Sequence, residues 1–378
     1  MCGLASSPPA AGNYFPAPSN TISGVKSFIL ALVALSCLRA ADTLVGGPYV
    51  IHVSSKSATV AWVMQSSEVK LGSAPDHLSQ SEPVLRFERV VYSNLKPGST
   101  YYYDVLNRDD GEGHFKTPPV GAAPFHFVVY GDTRTRHDFH RKVADAIAKS
   151  DPDFVVHTGD LVSDGAETSL WPIFFSIEKE LLRKTAFFPC LGNHERNNSQ
   201  YYEFFDVKEP YYSFNWGNAH FAVLNSDVGN AAADAAGKDR FWAEQTRWFE
   251  ADLKAAQKAD LRFVVFHHPP FTAYAKRQSE VSRTRELVPL FEQYKMTAVF
   301  SGHDHNYQHH VKNGIHYIVT GGGGAPLYPV DAPIPEMTKK VESTEHFVKV
   351  SVNGKQARVE AVALDGHMID TVDLGAPK

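Results

Sequence analysis

Phe154-Val155-Val156-His157-Thr158-Gly159-Asp160 is a short strand-forming run that stops at a turn and a ligand-type carboxylate. The same grammar recurs four times. Phe127-Val128-Val129-Tyr130 runs into Gly131-Asp132-Thr133-Arg134, and Phe187-Phe188-Pro189-Cys190 precedes Gly192-Asn193-His194-Glu195. Phe263-Val264-Val265-Phe266 precedes His267-His268-Pro269-Pro270, and Thr297-Ala298-Val299-Phe300 precedes Gly302-His303-Asp304-His305. Helical stretches lie between these runs: Trp242, Phe249, Leu253 and Ala256 share one face, as do Leu287, Leu290, Phe291 and Tyr294. Pro289 is expected in the first turn of the second helix, where its missing N–H costs nothing. Strands alternating with helices predict an α/β layer architecture. Neighbouring strand ends in such a sheet open on one crevice, so the five polar clusters are expected to meet there.

A Gly-Asp pair ending a strand is ordinarily a turn, and a lone histidine there is ordinarily structural. The ordered set Asp, Asp, Asn-His, His, His-x-His, each at a strand terminus, points instead to a multi-ligand metal site. The five blocks resemble those of the calcineurin-like metallophosphoesterase superfamily, and within it the purple-acid-phosphatase-like branch. The resemblance implies a four-layer α/β catalytic domain, two β-sheets packed face to face and flanked by helices, with two metal ions of the Fe, Zn or Mn class at one edge. It implies that Asp160 bridges the two metals, with Asp132 and His305 on one and Asn193, His267 and His303 on the other. Asp160 and His194 would be catalytic: His194 would donate to a phosphate oxygen or to the leaving group. The implied reaction is phosphate-ester hydrolysis by metal-activated hydroxide, foremost as an acid-phosphatase-like phosphomonoesterase. A phosphodiesterase or nucleotidase on the same site is the enzymatic alternative, and a non-catalytic surface-binding protein is the alternative of another class. Asp304 and Glu195 are candidates to orient the imidazoles.

The chain departs from the family's pattern at two positions. Purple acid phosphatases carry a tyrosine where this chain has Ser163, and other branches carry a histidine where it has Arg134. A guanidinium has no lone pair for a metal, so one site is short of a ligand; His137, His140 and Asp164 are the nearby candidates to fill it. Arg134 either clamps substrate phosphate or pairs with a carboxylate such as Asp164. The segment Phe271 to Arg277 lacks the extra histidines of several such phosphatases; Lys276 and Arg277 there read as a charged face or as electrostatic help for an anion.

From Pro48 to Lys116 the texture is all-β, and Pro97-Gly98 turns into a strand with Tyr101, Tyr103 and Val105 on one face. That segment resembles a fibronectin type III β-sandwich ahead of the catalytic domain, so the expected domains are 43–118 and 122–378, joined by Thr117-Pro118-Pro119-Val120-Gly121. Asn353-Gly354 and Asp365-Gly366 predict hairpins in the C-terminal strands. The uncharged run Ser27 to Leu38, after Lys26, has the length of a signal-peptide core and is too short to span a bilayer comfortably. A leader over 1–42 and a secreted, periplasmic or envelope location are therefore expected, with an uncleaved anchor or lipidation at Cys37 as alternatives. The three cysteines form no disulfide framework, and a net charge of −5 does not favour nucleic acid as a scaffold. A small-molecule phosphate ester is the expected partner.

Overall fold

The computed structural model describes residues 42–375 apart from 107, 109 and 279–282. All of the expected leader except Asp42 lies outside the described residues. Three long strands come first, β1 (Thr43–Ile51), β2 (Ser57–Leu71) and β3 (Gln80–Ser93), then a hairpin of β4 (Thr100–Asp104) and β5 (Glu112–Lys116). The expected alternation follows: β6 (Phe125–Tyr130), α1 (His137–Lys149), β7 (Phe154–His157), α2 (Leu170–Leu182), β8 (Ala186–Pro189) and α3 (Ser199–Phe205). It continues through β9 (Tyr212–Trp216), β10 (Ala219–Val223), α4 (Val228–Ala231), α5 (Ala235–Ala255), β11 (Leu261–Val265), α6 (Ala275–Gln278), α7 (Val288–Gln293) and β12 (Ala298–Ser301). The chain then runs through β13 (Tyr307–Lys312), β14 (Ile315–Thr320), β15 (Thr338–Glu342), β16 (His346–Asn353), β17 (Gln356–Ala363) and β18 (Met368–Gly375). Pro289 sits in the first turn of α7, and both predicted hairpin turns carry a glycine at positive φ, Gly354 and Gly366.

Two sheets carry the domain. One has nine strands in the order β18-β17-β16-β6-β7-β8-β1-β2-β3, and the other seven in the order β15-β13-β14-β12-β11-β10-β9. The central strands are parallel: β6, β7 and β8 in one sheet, β10, β11, β12 and β14 in the other. Their continuous apolar runs follow from burial on both faces. Phe127, Phe154, Phe188, Phe221, Phe263 and Phe300 point between the sheets, where Phe127 stacks on Phe154 at 4.9 Å and meets Phe221 edge-on at 5.2 Å. The alternate residues Val128, Tyr130 and Val155 face α1 and α2, and Ala222, Val264 and Val299 face α5 and α7. Helices, sheet, sheet and helices make the four layers the resemblance implies.

The front segment is all-β as expected, yet it does not close a sandwich of its own. Strand β1 pairs with β2 on one side and with β8 on the other, so the nine-stranded sheet runs straight through the expected boundary near residue 118. The reason lies in the side chains of β1. Val50 enters the core between the sheets, as does Val53 just past the strand end, while Tyr49 and Ile51 enter the core beneath α2 and α3, where Tyr49 stacks on Phe175 at 5.0 Å. A strand apolar on both faces needs cover on both, which the layered stack supplies. Tyr101 and Tyr103 share a face as expected, and both pack on Phe115 of the β4–β5 hairpin. A chain lacking residues 43–118 is therefore expected to show no cooperative thermal transition by circular dichroism; a sharp native-like transition would restore the separate module.

Candidate metal centre

The strand ends reach the crevice through unusual backbone. Asp132, Asp160 and His303 have φ of 59°, 58° and 68°, left-handed conformations uncommon for residues with a Cβ. The two Gly-Asp turns hold each other: Asp132 N donates to Gly159 O at 3.0 Å, and Thr133 N donates to Asp160 O at 3.0 Å. Glycine is required where the loops touch. A Cβ at Gly192 would collide with the Asp160 carboxylate, and one at Gly302 with that of Asp132.

These turns bring Asp132, Asp160 and His305 together with their ligand atoms within 4.8 Å of one another, all buried. His267, His268 and His303 form a second such group. The two groups adjoin at Asp160, whose Oδ1 lies 3.4 Å from His267 Nε2; that nitrogen is 3.2 Å from Asn193 Oδ1 and 3.1 Å from His303 Nδ1. His305 Nε2 stands 3.4 Å from Asp132 Oδ1, an oxygen that is buried and has no hydrogen-bond partner. All six expected ligands thus share one crevice.

Tautomers follow from the partners. His267 Nδ1 donates to Thr158 O at 2.9 Å and His305 Nδ1 to Pro326 O at 2.6 Å, and a carbonyl can only accept. Each ring therefore turns a bare Nε2 to the crevice, the form a metal ligand needs. Burial pushes His267 and His303 well below the usual imidazole range, His305 down to about 4 and His268 to about 3. Burial, and then Asp160, push Asp132 well above the carboxylate range. Neutral imidazoles, an amide oxygen and an under-satisfied pair of carboxylates suit cations of the Fe, Zn or Mn class.

Other expectations change. Glu195 does not orient an imidazole: it accepts from the N–H groups of Asp160 at 2.9 Å, Leu161 at 2.7 Å, Val162 at 3.3 Å and Gly192 at 2.6 Å. It thereby ties the second Gly-Asp turn to the Gly-Asn turn. Burial and Asp160 push its carboxyl up to about 8. Asp304 likewise serves Thr272, Gln308 and Arg277 instead of an imidazole.

Arg134 Nε lies 3.3 Å from Asp160 Oδ2, at ion-pair distance without hydrogen-bond alignment, while Asp164 pairs with Arg196 at 3.0 Å. The expected carboxylate pairing of Arg134 is thus met by Asp160 in place of Asp164. None of the candidates for the short ligand set joins the cluster, since His140 binds Glu178 at 2.7 Å beneath Phe174 and His137 is exposed. Position 163 contributes through its backbone: Ser163 O accepts from His194 Nδ1 at 2.7 Å, leaving His194 Nε2 3.9 Å from Asp160 Oδ2.

Two neighbours were not singled out from the sequence. His268 stands beside His303 with ring centroids 4.2 Å apart; its adjacency to His267 was the available signal. Tyr328 stacks on His305 at 4.1 Å from a loop whose sequence carries no motif.

The profile of the calcineurin-like phosphoesterase family matches residues 125–307, the span holding all six expected ligands. Residues 125–307 carry a calcineurin-like phosphoesterase domain. This phosphoesterase domain is similar to probable purple acid phosphatase 20 of Arabidopsis thaliana, at 26% identity over 266 residues, 62% of this chain and 60% of that protein. An uncharacterized protein of Mycobacterium tuberculosis is 27% identical over 281 residues, 61% of this chain and 52% of that one. The chain thus spans between about half and three fifths of the length of these curated relatives. Among solved structures, the purple acid phosphatase PPD1 from yellow lupin (Lupinus luteus) seeds shares the fold of this chain with a TM-score of 0.68 at 17% identity, covering 88% of this chain and 74% of that one.

Because Glu195 gathers four backbone donors around the Asp160 turn, Glu195→Gln turns an amide N–H₂ against them. Metal affinity is expected to fall about tenfold to a hundredfold, read by competition with a chromogenic chelator.

Proposed function

We propose that this chain hydrolyses phosphate esters, monoesters foremost, with two metal ions bound in the crevice. The observation that carries the reading is Asp160 standing between two ligand groups, Asp132 with His305 and Asn193 with His267 and His303, beside a buried carboxylate oxygen that no protein donor satisfies. Two cations there would supply a water-derived nucleophile near neutral pH and would neutralise charge developing on phosphorus. Asp132 and His305 would hold one, Asn193, His267 and His303 the other, and Asp160 both.

The protein's own groups then position the ester. His194 has its Nδ1 engaged by Ser163 O, so its Nε2 faces the crevice and would serve a phosphate oxygen or the leaving group as donor. Arg134 keeps guanidinium N–H groups for a phosphate oxygen while its Nε faces Asp160. No helix among the described residues is long and apolar enough to cross a membrane. We also propose export, on the strength of the uncharged run Ser27 to Leu38; N-terminal sequencing of secreted protein should begin after it, and an intact Met1 would refute it.

The deciding assay is hydrolysis of p-nitrophenyl phosphate and bis-p-nitrophenyl phosphate before and after chelation. The monoester is expected to be the faster substrate, with activity lost on chelation and restored by Zn, Mn or Fe salts. Asp160→Ala is expected to lower turnover about a thousandfold with an unchanged circular dichroism spectrum. Ser163 offers no phenolate, so the iron-loaded protein should show no visible tyrosinate charge-transfer band. Chelator-insensitive turnover, or near wild-type turnover by Asp160→Ala, would sink the reading.

A further inference from the structure

Beyond His268 and His303 the crevice opens into a cavity of about 300 Å³, also lined by Arg277, Arg283, Arg285 and Ser226. Three guanidinium groups on one small cavity far exceed what the metal ligands need for support, so their charges have to be accounted for one by one. Arg277 is committed: its Nη1 donates to His303 O at 2.8 Å and to Asp304 Oδ1 at 3.0 Å, and its head lies over Tyr328. Arg283 pairs with Asp239, and both side chains are well exposed, a pairing that solvent screens. Arg285 is different. Its Nε donates to Pro270 O at 2.6 Å, which fixes the fork, and among the described residues no carboxylate stands within ion-pair distance of it.

The acids of the cavity are already engaged. Asp304 accepts from Thr272, Gln308 and Arg277, and Asp227 accepts from Asn230 Nδ2 at 2.8 Å. What remains among the described residues is the fixed planar fork of Arg285, which no carboxylate pairs, next to His268 and His303. Such a fork matches the oxygens of a phosphate in a way a flexible ammonium does not.

We infer that this cavity is a subsite for a second anion on the substrate, with Arg285 as its recognition residue. The inference rests on the hydrolase reading and narrows it. The favoured substrates carry a phosphate on the leaving group as well as the phosphate to be released; in a nucleoside diphosphate water then breaks the phosphoanhydride, its oxygen going to the released phosphate while the nucleoside monophosphate leaves. An ester with a neutral leaving group, as in a nucleoside monophosphate, leaves the cavity to water.

The test compares kcat/KM for ADP and AMP, which share the nucleoside and differ in the second phosphate and in the bond broken, anhydride against ester, so that the change of the ratio in the variants isolates the subsite. The wild-type ratio of ADP to AMP is expected to be about ten or more, falling toward one in Arg285→Gln and to an intermediate value in Arg285→Lys, which keeps the charge and loses the fork. A wild-type ratio at or below one overturns the subsite whatever the variants do, as does an unchanged ratio in Arg285→Gln with a native melting curve. If p-nitrophenyl phosphate is hydrolysed while the ADP preference is absent, the subsite falls and the hydrolase reading stands. If none of the three substrates is hydrolysed by metal-loaded protein, both fall.

Discussion

Asp132, Asp160 and Glu195 are all essentially inaccessible to solvent, and the last two are joined through the backbone N–H of Asp160. Taking one carboxylate out of water is costly, and placing three together adds mutual repulsion. The fold answers with directed dipoles: His303 N and His194 N donate to the two aspartates, and four amides donate to Glu195. Arg134 adds a full positive charge at the edge. These donors still leave Asp132 Oδ1 without a partner, an open acceptor position that a cation could fill.

Such a concentration of charge holds its shape only on a stiff support. The phenylalanine layer between the sheets provides it, with stacked and edge-on rings from β6, β7, β9, β10, β11 and β12 in one continuous contact. Interiors packed this densely resist sliding, so the strands deliver their terminal loops in fixed register. The metal centre and the aromatic layer are thus successive stretches of the same strands: rings inside, ligands at the end.

That succession is why so much could be read from the chain alone. Apolar runs ending in Gly-Asp, Gly-Asn-His, His-His-Pro and Gly-His-Asp-His carry both the layer and the candidate ligands locally, and the six expected side chains do converge. What escaped the sequence was set by tertiary partners. Tyr49 and Val50 look like any alternating strand, and nothing local says that one faces helices and the other a second sheet. Glu195 and Asp304 sit beside ligands in sequence, yet their partners are backbone amides and Arg277. Arg134 was legible as a departure; that it would face Asp160 and not Asp164 depended on Arg196 claiming the latter.

The left-handed turns at Asp132, Asp160 and His303 also bear on how such a centre can decay. A residue branched at Cβ in that conformation strains the loop by about 1–3 kcal/mol, independently of any ligand lost. Asparagine tolerates the same backbone and differs from aspartate by one atom and one charge. Drift at positions 132 and 160 is thereby channelled: the easiest exit from metal binding is a silent one, in which the architecture survives intact and only the electrostatics disappear.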